Sequence, residues 1–336
     1  MRKIIEIFLV VAGGLAAASC TIGEELEGKA RVTLLPAVGT ALKSDTGEKK
    51  NGENKVRELC IMAFGESGKR VFFRACDSME AVSMSLNKTP HTFVSTANIP
   101  ASEVEAASAS GLENFLAWCP PGIYDSMIAG DSLKIPMSHI LELKRLNDGQ
   151  TIELPLKRLT ARIILKSVKN AMAVDMKIKG VFLENLVPTV KIDGGSASSQ
   201  TQTSEWRSFK GSEGDGGEVQ GLSYSMDSPL AAGETIRPKN KFFYAFPNDT
   251  AEDVNAGSGN EKRKTRIVLS AEFDGRTYYY PVNLNLISGF SYDVHLVLTH
   301  LGASNPDSFD WCAPHMEEPI LIDGEESDGG EINITF

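Results

Sequence analysis

Residues 158–166 read RLTARIILK, and the reading of this stretch decides the fold class. Leu159, Ala161, Ile163 and Leu165 recur at every second position, while Arg158, Thr160, Arg162 and Lys166 point the other way. A period of two is the signature of an extended strand, so the stretch predicts one buried face and one wet face, as in an antiparallel sandwich. Downstream the same signal returns at 176–183, 242–246, 267–273, 278–286 and 290–298. In the fourth of these, Tyr278, Tyr280, Val282, Leu284 and Leu286 share a face. A last alternating run closes the chain, with Ile332, Ile334 and Phe336 on one side.

Upstream, Ala30, Val32 and Leu34 alternate with Arg31, Thr33 and Leu35, and Pro36 ends the run. The near-continuous apolar segment LCIMAF at 59–64 fits a central strand covered on both faces. Gly65 and Gly68 bracket a turn, and Val71, Phe73 and Ala75 return as the second strand of a hairpin. Further strands are expected at 92–97, 133–135 and 140–146. Ser102 followed by Glu105 has the capping-box spacing, which predicts a helix continuing through Leu116 and weakened at Gly111. Residues 43–55 (KSDTGEKKNGENK) lack any large apolar side chain and read as an exposed loop. Residues 194–221 are dominated by polar residues and glycine, and read as a long mobile loop. The fold class is therefore mostly β, in two sandwiches with a short helix in the first.

Length and charge narrow the function. At 336 residues there is room for two ordinary domains. The formal net charge of −10 leaves no basic patch to follow phosphates, so nucleic acid is not an expected partner. Cys60 lies inside an apolar run and reads as a small buried hydrophobe. Cys60, Cys76, Cys119 and Cys312 allow three pairings, among which the sequence does not choose.

No catalytic constellation emerges. His295 and His300 are five apart on one expected strand and so face opposite ways. Cys312 and His315 have ligand-like spacing but no second pair to complete a zinc site. No G-x-S-x-G, phosphate-binding loop or dinucleotide fingerprint occurs. Trp118, Trp206 and Trp311 could stack on sugars, though packing anchors are the commoner use. The expectation is assembly rather than turnover, with no catalytic residues, no metal and no cofactor.

The beginning of the chain, MRKIIEIFLVVAGGLAAASC, has a positive start, an apolar stretch and small residues before Cys20. That is the layout of a secretory leader, and the apolar stretch falls short of the roughly 20 residues a spanning helix needs. Cysteine directly after small residues resembles a bacterial lipobox, which implies acylation of Cys20. Leader peptide 1–19, a polar tether 20–29 and sandwich domains 30–156 and 157–336 are the expected organisation.

Taken in order, four segments resemble the FimA-type major fimbrillins, the type V pilus subunits of Bacteroidales. They are Cys20 with the strand ARVTL at 30–34, and VRELCIMAFGESGKRVF at 56–72. Next come LKIPMSHI at 133–140 and LKRLTARIIL at 156–165. Last are FFYAFPN at 242–248, YYYPVNL at 278–284 and YDVHLVLTHLGASNPD at 292–307. The resemblance implies two transthyretin-like β-sandwich domains in tandem, exported as an outer-membrane lipoprotein. It also implies proteolytic loss of the first strand, carrying Val32 and Leu34. A neighbouring subunit's C-terminal strand, here Ile332, Ile334 and Phe336, would refill the slot. Related pilus subunits, the outer membrane and surface receptors are the implied partners. Where the family has its cleavage arginine this chain reads AVGTALK, which leaves Lys43 as the cleavage candidate. Retention of the first strand would instead suit an anchor subunit, and a glycan-binding lipoprotein is the rival from another class.

Overall fold

The computed structural model describes residues 28–38, 54–129, 133–209, 220–250, 264–304 and 331–336. Cys20, Lys43, Trp311, Cys312, His315 and the leader lie outside the described residues. In chain order the strands are β1 (Lys29–Val38), β2 (Leu59–Gly65), β3 (Arg70–Cys76), β4 (Val82–Asn87), β5 (His91–Ala97), β6 (Met137–Leu143), β7 (Gln150–Arg158) and β8 (Ala161–Asn170). They continue as β9 (Met176–Glu184), β10 (Ser223–Leu230), β11 (Thr235–Ile236), β12 (Phe242–Ala245), β13 (Arg266–Phe273), β14 (Arg276–Asn283), β15 (Ser291–Leu298) and β16 (Glu331–Thr335). Three short helices, α1 (Ala101–Ser108), α2 (Leu112–Ala117) and α3 (Ile123–Ile128), fall between β5 and β6. The protein is mostly β.

The first seven strands form one sheet in the order β3-β2-β5-β6-β7-β1-β4. As the apolar run predicts, β2 lies between β3 and β5 with Leu59 through Phe64 all buried. The hairpin turn is also where expected: Gly68 takes a positive φ of 73° and its N–H donates to Gly65 O at 2.8 Å. The helices cover β2 from one side, where Phe64 stacks on Phe115 and Phe115 on Trp118, each pair with centroids 6.0 Å apart. Trp118 is thus a packing residue.

Two further sheets face each other. One has the order β10-β9-β13-β14; the other runs β11-β8-β15-β16, with β12 also pairing β8. Tyr224 of β10 packs edge-on against Phe243 of β12 and its hydroxyl donates to Phe242 O at 2.7 Å, while Tyr280 of β14 packs against Phe336 beside β16, so the inner faces of both sheets meet. That is the layering of a β-sandwich. Gly180 in β9 has a packing reason, because a Cβ there would come within 2.8 Å of Tyr224 O on β10.

The stretch that announces the fold proves to be a seam. Residues 158–166 are two strands: β7 ends at Arg158, Leu159 and Thr160 cross over, and β8 begins at Ala161 in a different sheet. Most of the face expected to be wet is dry, since Arg158, Thr160 and Arg162 are buried; Lys166 stays part-exposed, paired with Asp293 at 3.6 Å. The reason lies in the returning chain. Arg162 Nε donates to Ser291 Oγ at 2.9 Å, Gly289 N–H to Thr160 O at 2.9 Å, and Ser288 Oγ to Leu159 O at 2.8 Å.

Other expectations are corrected. β1 continues through Pro36 to Val38, because β4 stops pairing at Leu34 and a proline is tolerated on what is then an edge. Residues 133–135 are not strand, and the following strand occupies Met137–Leu143 rather than 140–146. The single expected helix is two helices, broken where Gly111 takes a φ of 99°. Pro100 takes the N-cap place of α1, so Ser102 lies inside the helix and the capping box does not form. β14 ends at Asn283 and β15 at Leu298, which leaves Leu284, Leu286 and His300 beyond their strands. The described part of the expected mobile loop is tied down: Ser196, Ala197, Ser198 and Thr201 are buried, and Trp206 Nε1 donates to Thr201 Oγ1 at 2.9 Å.

Candidate functional site: the first and last strands

β1 lies inside its sheet, between two strands. It runs antiparallel to β4 from Lys29↔Asn87 to Leu34↔Val82, and parallel to β7 from Val32↔Gln150 to Val38↔Leu156. Alternation does the rest. Ala30, Val32 and Leu34 are fully buried and Pro36 continues their row, while Lys29, Arg31, Leu35 and Ala37 face outward. The strand's start is pinned by polar contacts as well. Asp148 Oδ1 accepts from Arg31 N–H at 2.8 Å, Arg31 O accepts from Gly149 N–H at 2.8 Å, and Gly28 O accepts from Lys88 N–H at 2.9 Å. Thr33 and Ser83 hydroxyls meet at 3.1 Å across the β1–β4 pair. Burying two aliphatic side chains of this size contributes about 1.5–3 kcal/mol each. β1 is a fully integrated strand whose loss would open a long apolar slot and two backbone ladders.

The opposite holds for β16. Among the described residues it pairs only with β15, in parallel, from Asp293↔Glu331 to Val297↔Thr335, and ends the sheet. Ile334 is buried at 5% exposure, whereas Asn333 and Thr335 are exposed. Phe336 packs edge-on against Tyr280 with centroids 5.1 Å apart, and its main chain is held by Val297 O and Thr299 N–H, both at 2.9 Å. Burial pushes the Tyr280 hydroxyl above its ordinary pKa, so it stays a neutral donor and bonds His300 O at 3.2 Å. Ile334 and Phe336 therefore face inward on their own molecule, and Ile332 takes the matching register position opposite Val294.

Val32 and Leu34 are thus in one sheet, and Ile332, Ile334 and Phe336 at the edge of another. The strands bordering the slot, β4 and β7, escape the sequence reading. Their signals exist as the alternations Val82-Met84-Leu86 and Ile152-Leu154-Leu156. Serines dilute the first, and Pro155 argues against the second. Pro155 is accommodated because β7 has β1 as its neighbour there and meets β6 only at Lys157 and Arg158.

The cysteines add no cross-link among the described residues, where Cys60, Cys76 and Cys119 are free. Cys60 pairs with Ala75 in register and Leu59 with Cys76, so Cys60 and Cys76 lie on opposite faces of the hairpin. Burial raises the Cys60 thiol to about 12, which suits an inert core residue. Among the described residues no group of His, Cys, Asp and Glu could hold a metal ion, and no helix is long and apolar enough to cross a membrane.

No family model and no curated protein matches the chain. Solved structures do. A candidate cell adhesion protein from Bacteroides eggerthii superposes with a TM-score of 0.54 at 15% identity, covering 91% of this chain and 98% of that one. One from Parabacteroides distasonis gives 0.52 at 14% identity, covering 78% and 85%. A second Parabacteroides distasonis structure of that description gives 0.51 at 14% identity, covering 82% and 94%. At these identities the likeness is one of fold, and it extends over most of the chain.

Proposed function

We propose that this chain is a structural subunit of a cell-surface fimbria of the FimA type, supporting adhesion and joined to its neighbours by strand exchange. One observation carries the reading: the first strand is interior and its removal would leave a slot, while the last strand has, among the described residues, a single neighbour. A strand held on one side is the easier one to donate, and a slot flanked by two ladders is the better one to fill. Backbone bonding to β4 and β7 would supply affinity, and the row occupied by Ala30, Val32, Leu34 and Pro36 would receive alternate side chains. Head-to-tail contacts of this kind do not close on themselves and so make fibres. The resemblance to fimbrillins and the fold shared with candidate cell adhesion proteins support the same reading, and neither points to an enzyme.

In this reading the chain is exported as a lipoprotein acylated at Cys20, reaches the outer membrane, and is folded as two tandem transthyretin-like sandwiches dividing near residue 156. Stalk and tip subunits would be cut near Lys43. An anchor subunit, favoured by the missing arginine after β1, would keep both lipid and strand. Deleting 331–336 tests the central claim: the monomer should still fold and no longer form detergent-resistant ladders. Ladders from the deleted chain would overturn it. Mass spectrometry of surface-derived protein then separates the roles, since stalk or tip begins near Lys43 and anchor begins at lipidated Cys20.

A further inference from the structure

Among the described residues, the free edges of the sheets are guarded in different ways. On β10 the register shifts between Ser225 and Ser228, Asp227 takes a φ of 47° and pairs with Lys177 and Lys179, and Pro229 follows. On β14, Tyr279 already exchanges both backbone bonds with Ala303. β3 carries Arg70 and Arg74, β11 and β12 are short, and β16 begins with an acidic residue. Bulges, charges, prolines and short edges are the devices that stop sheets from pairing edge to edge.

β4 has none of them. Its six residues, VSMSLN, pair with β1 in unbroken register and carry no charge and no proline. Lys88 N–H bonds to the O of Gly28, just ahead of β1, so the even-numbered residues direct their backbone groups toward β1. By alternation, Ser83, Ser85 and Asn87 present their N–H and C=O groups to the open side.

The sequence around this edge is self-complementary when read in both directions. From Glu80 to Lys88 it runs EAVSMSLNK. Laid antiparallel against a second copy with the two-fold at Met84, Ser83 faces Ser85, Val82 faces Leu86, and Glu80 faces Lys88 at both ends. The pleat allows only registers that keep the buried row of Val82, Met84 and Leu86 on one face. Shifting the two-fold to Ser85 keeps the pleat and loses the charge match.

We infer that β4 is an isologous pairing surface, through which two copies of this chain join antiparallel into one continuous sheet centred on Met84. The contact is lateral and uses the side of β4 turned away from β1, and it requires the β1 position to be filled, because β1 is the neighbour that holds β4 in its sheet. It would act between neighbouring fibres or between free subunits alike.

Sedimentation equilibrium of the full chain tests it. Wild type is expected to dimerise. Glu80→Lys or Lys88→Glu alone should raise the dimer Kd by about tenfold, since each sets like charges opposite one another twice. The double variant Glu80→Lys/Lys88→Glu should restore wild-type pairing. Ser85→Pro should abolish the dimer and keep the circular dichroism spectrum, because the N–H it removes faces the open edge. A wild type that stays monomeric over the whole accessible concentration range overturns the inference. So does a folded double variant that fails to regain the dimer, or a Ser85→Pro chain that still pairs.

Discussion

The first and last described strands both carry an apolar row, and they are held in opposite ways. β1 spans ten residues between two neighbours, with Ala30, Val32 and Leu34 fully buried. β16 spans five residues beside one neighbour among the described residues, with Ile334 as its buried anchor and Phe336 resting on Tyr280. The difference teaches that an alternating pattern predicts which face of a strand goes inward and says nothing of how many neighbours hold it. Neighbour number is a property of the sheet, and it governs which strand can leave.

Mutations break the comparison most directly. Leu34→Ala should cost about 2–5 kcal/mol, the range for a large core side chain that leaves a cavity, read as a lower urea midpoint at unchanged slope. Ile334→Ala should cost about 1–2 kcal/mol, below that range because the edge can relax around the gap. Equal costs at both sites would mean that β16 is as integral as β1. Removing the carboxylate that accepts from Arg31 N–H, by Asp148→Ala, should cost about 0.5–1.5 kcal/mol, the net value of one hydrogen bond. That effect should fall on the start of β1 alone.

Hydrogen exchange sharpens the same contrast without mutation. Amides of β1 bonded to β4 and β7 should exchange only with global opening, while those of β16 should open locally and earlier. Matching protection in the two strands would remove the basis for treating the last strand as the one to donate.

Much of this was legible in the residues. The hairpin of β2 and β3, the buried run Leu59–Phe64, the first and last strands and the tyrosine strand were readable because side-chain period or glycine placement alone determines them. What was not legible was set by tertiary surroundings. Arg158, Thr160 and Arg162 look like a solvent face, and they are buried because the segment around Ser288 and Ser291 returns to bond there. Pro36 and Pro155 look like strand breakers, yet each sits where its strand has a neighbour on one side only. β4 was hidden by its own edge character, since an exposed serine row carries little strand signal even when the opposite row is Val82, Met84 and Leu86.

The crossing at Leu159 and Thr160 has a mechanical consequence. Because β7 passes into β8 through two buried residues, tension drawn along β8 is delivered to β7 along a nearly unbroken backbone. The strand in the β1 position lies parallel to β7 over seven register pairs, Val32↔Gln150 to Val38↔Leu156. A pull along that axis loads those pairs in shear, so they must yield together instead of unzipping one at a time. An occupant of the slot is therefore gripped harder against a pull along the strand than against one across it.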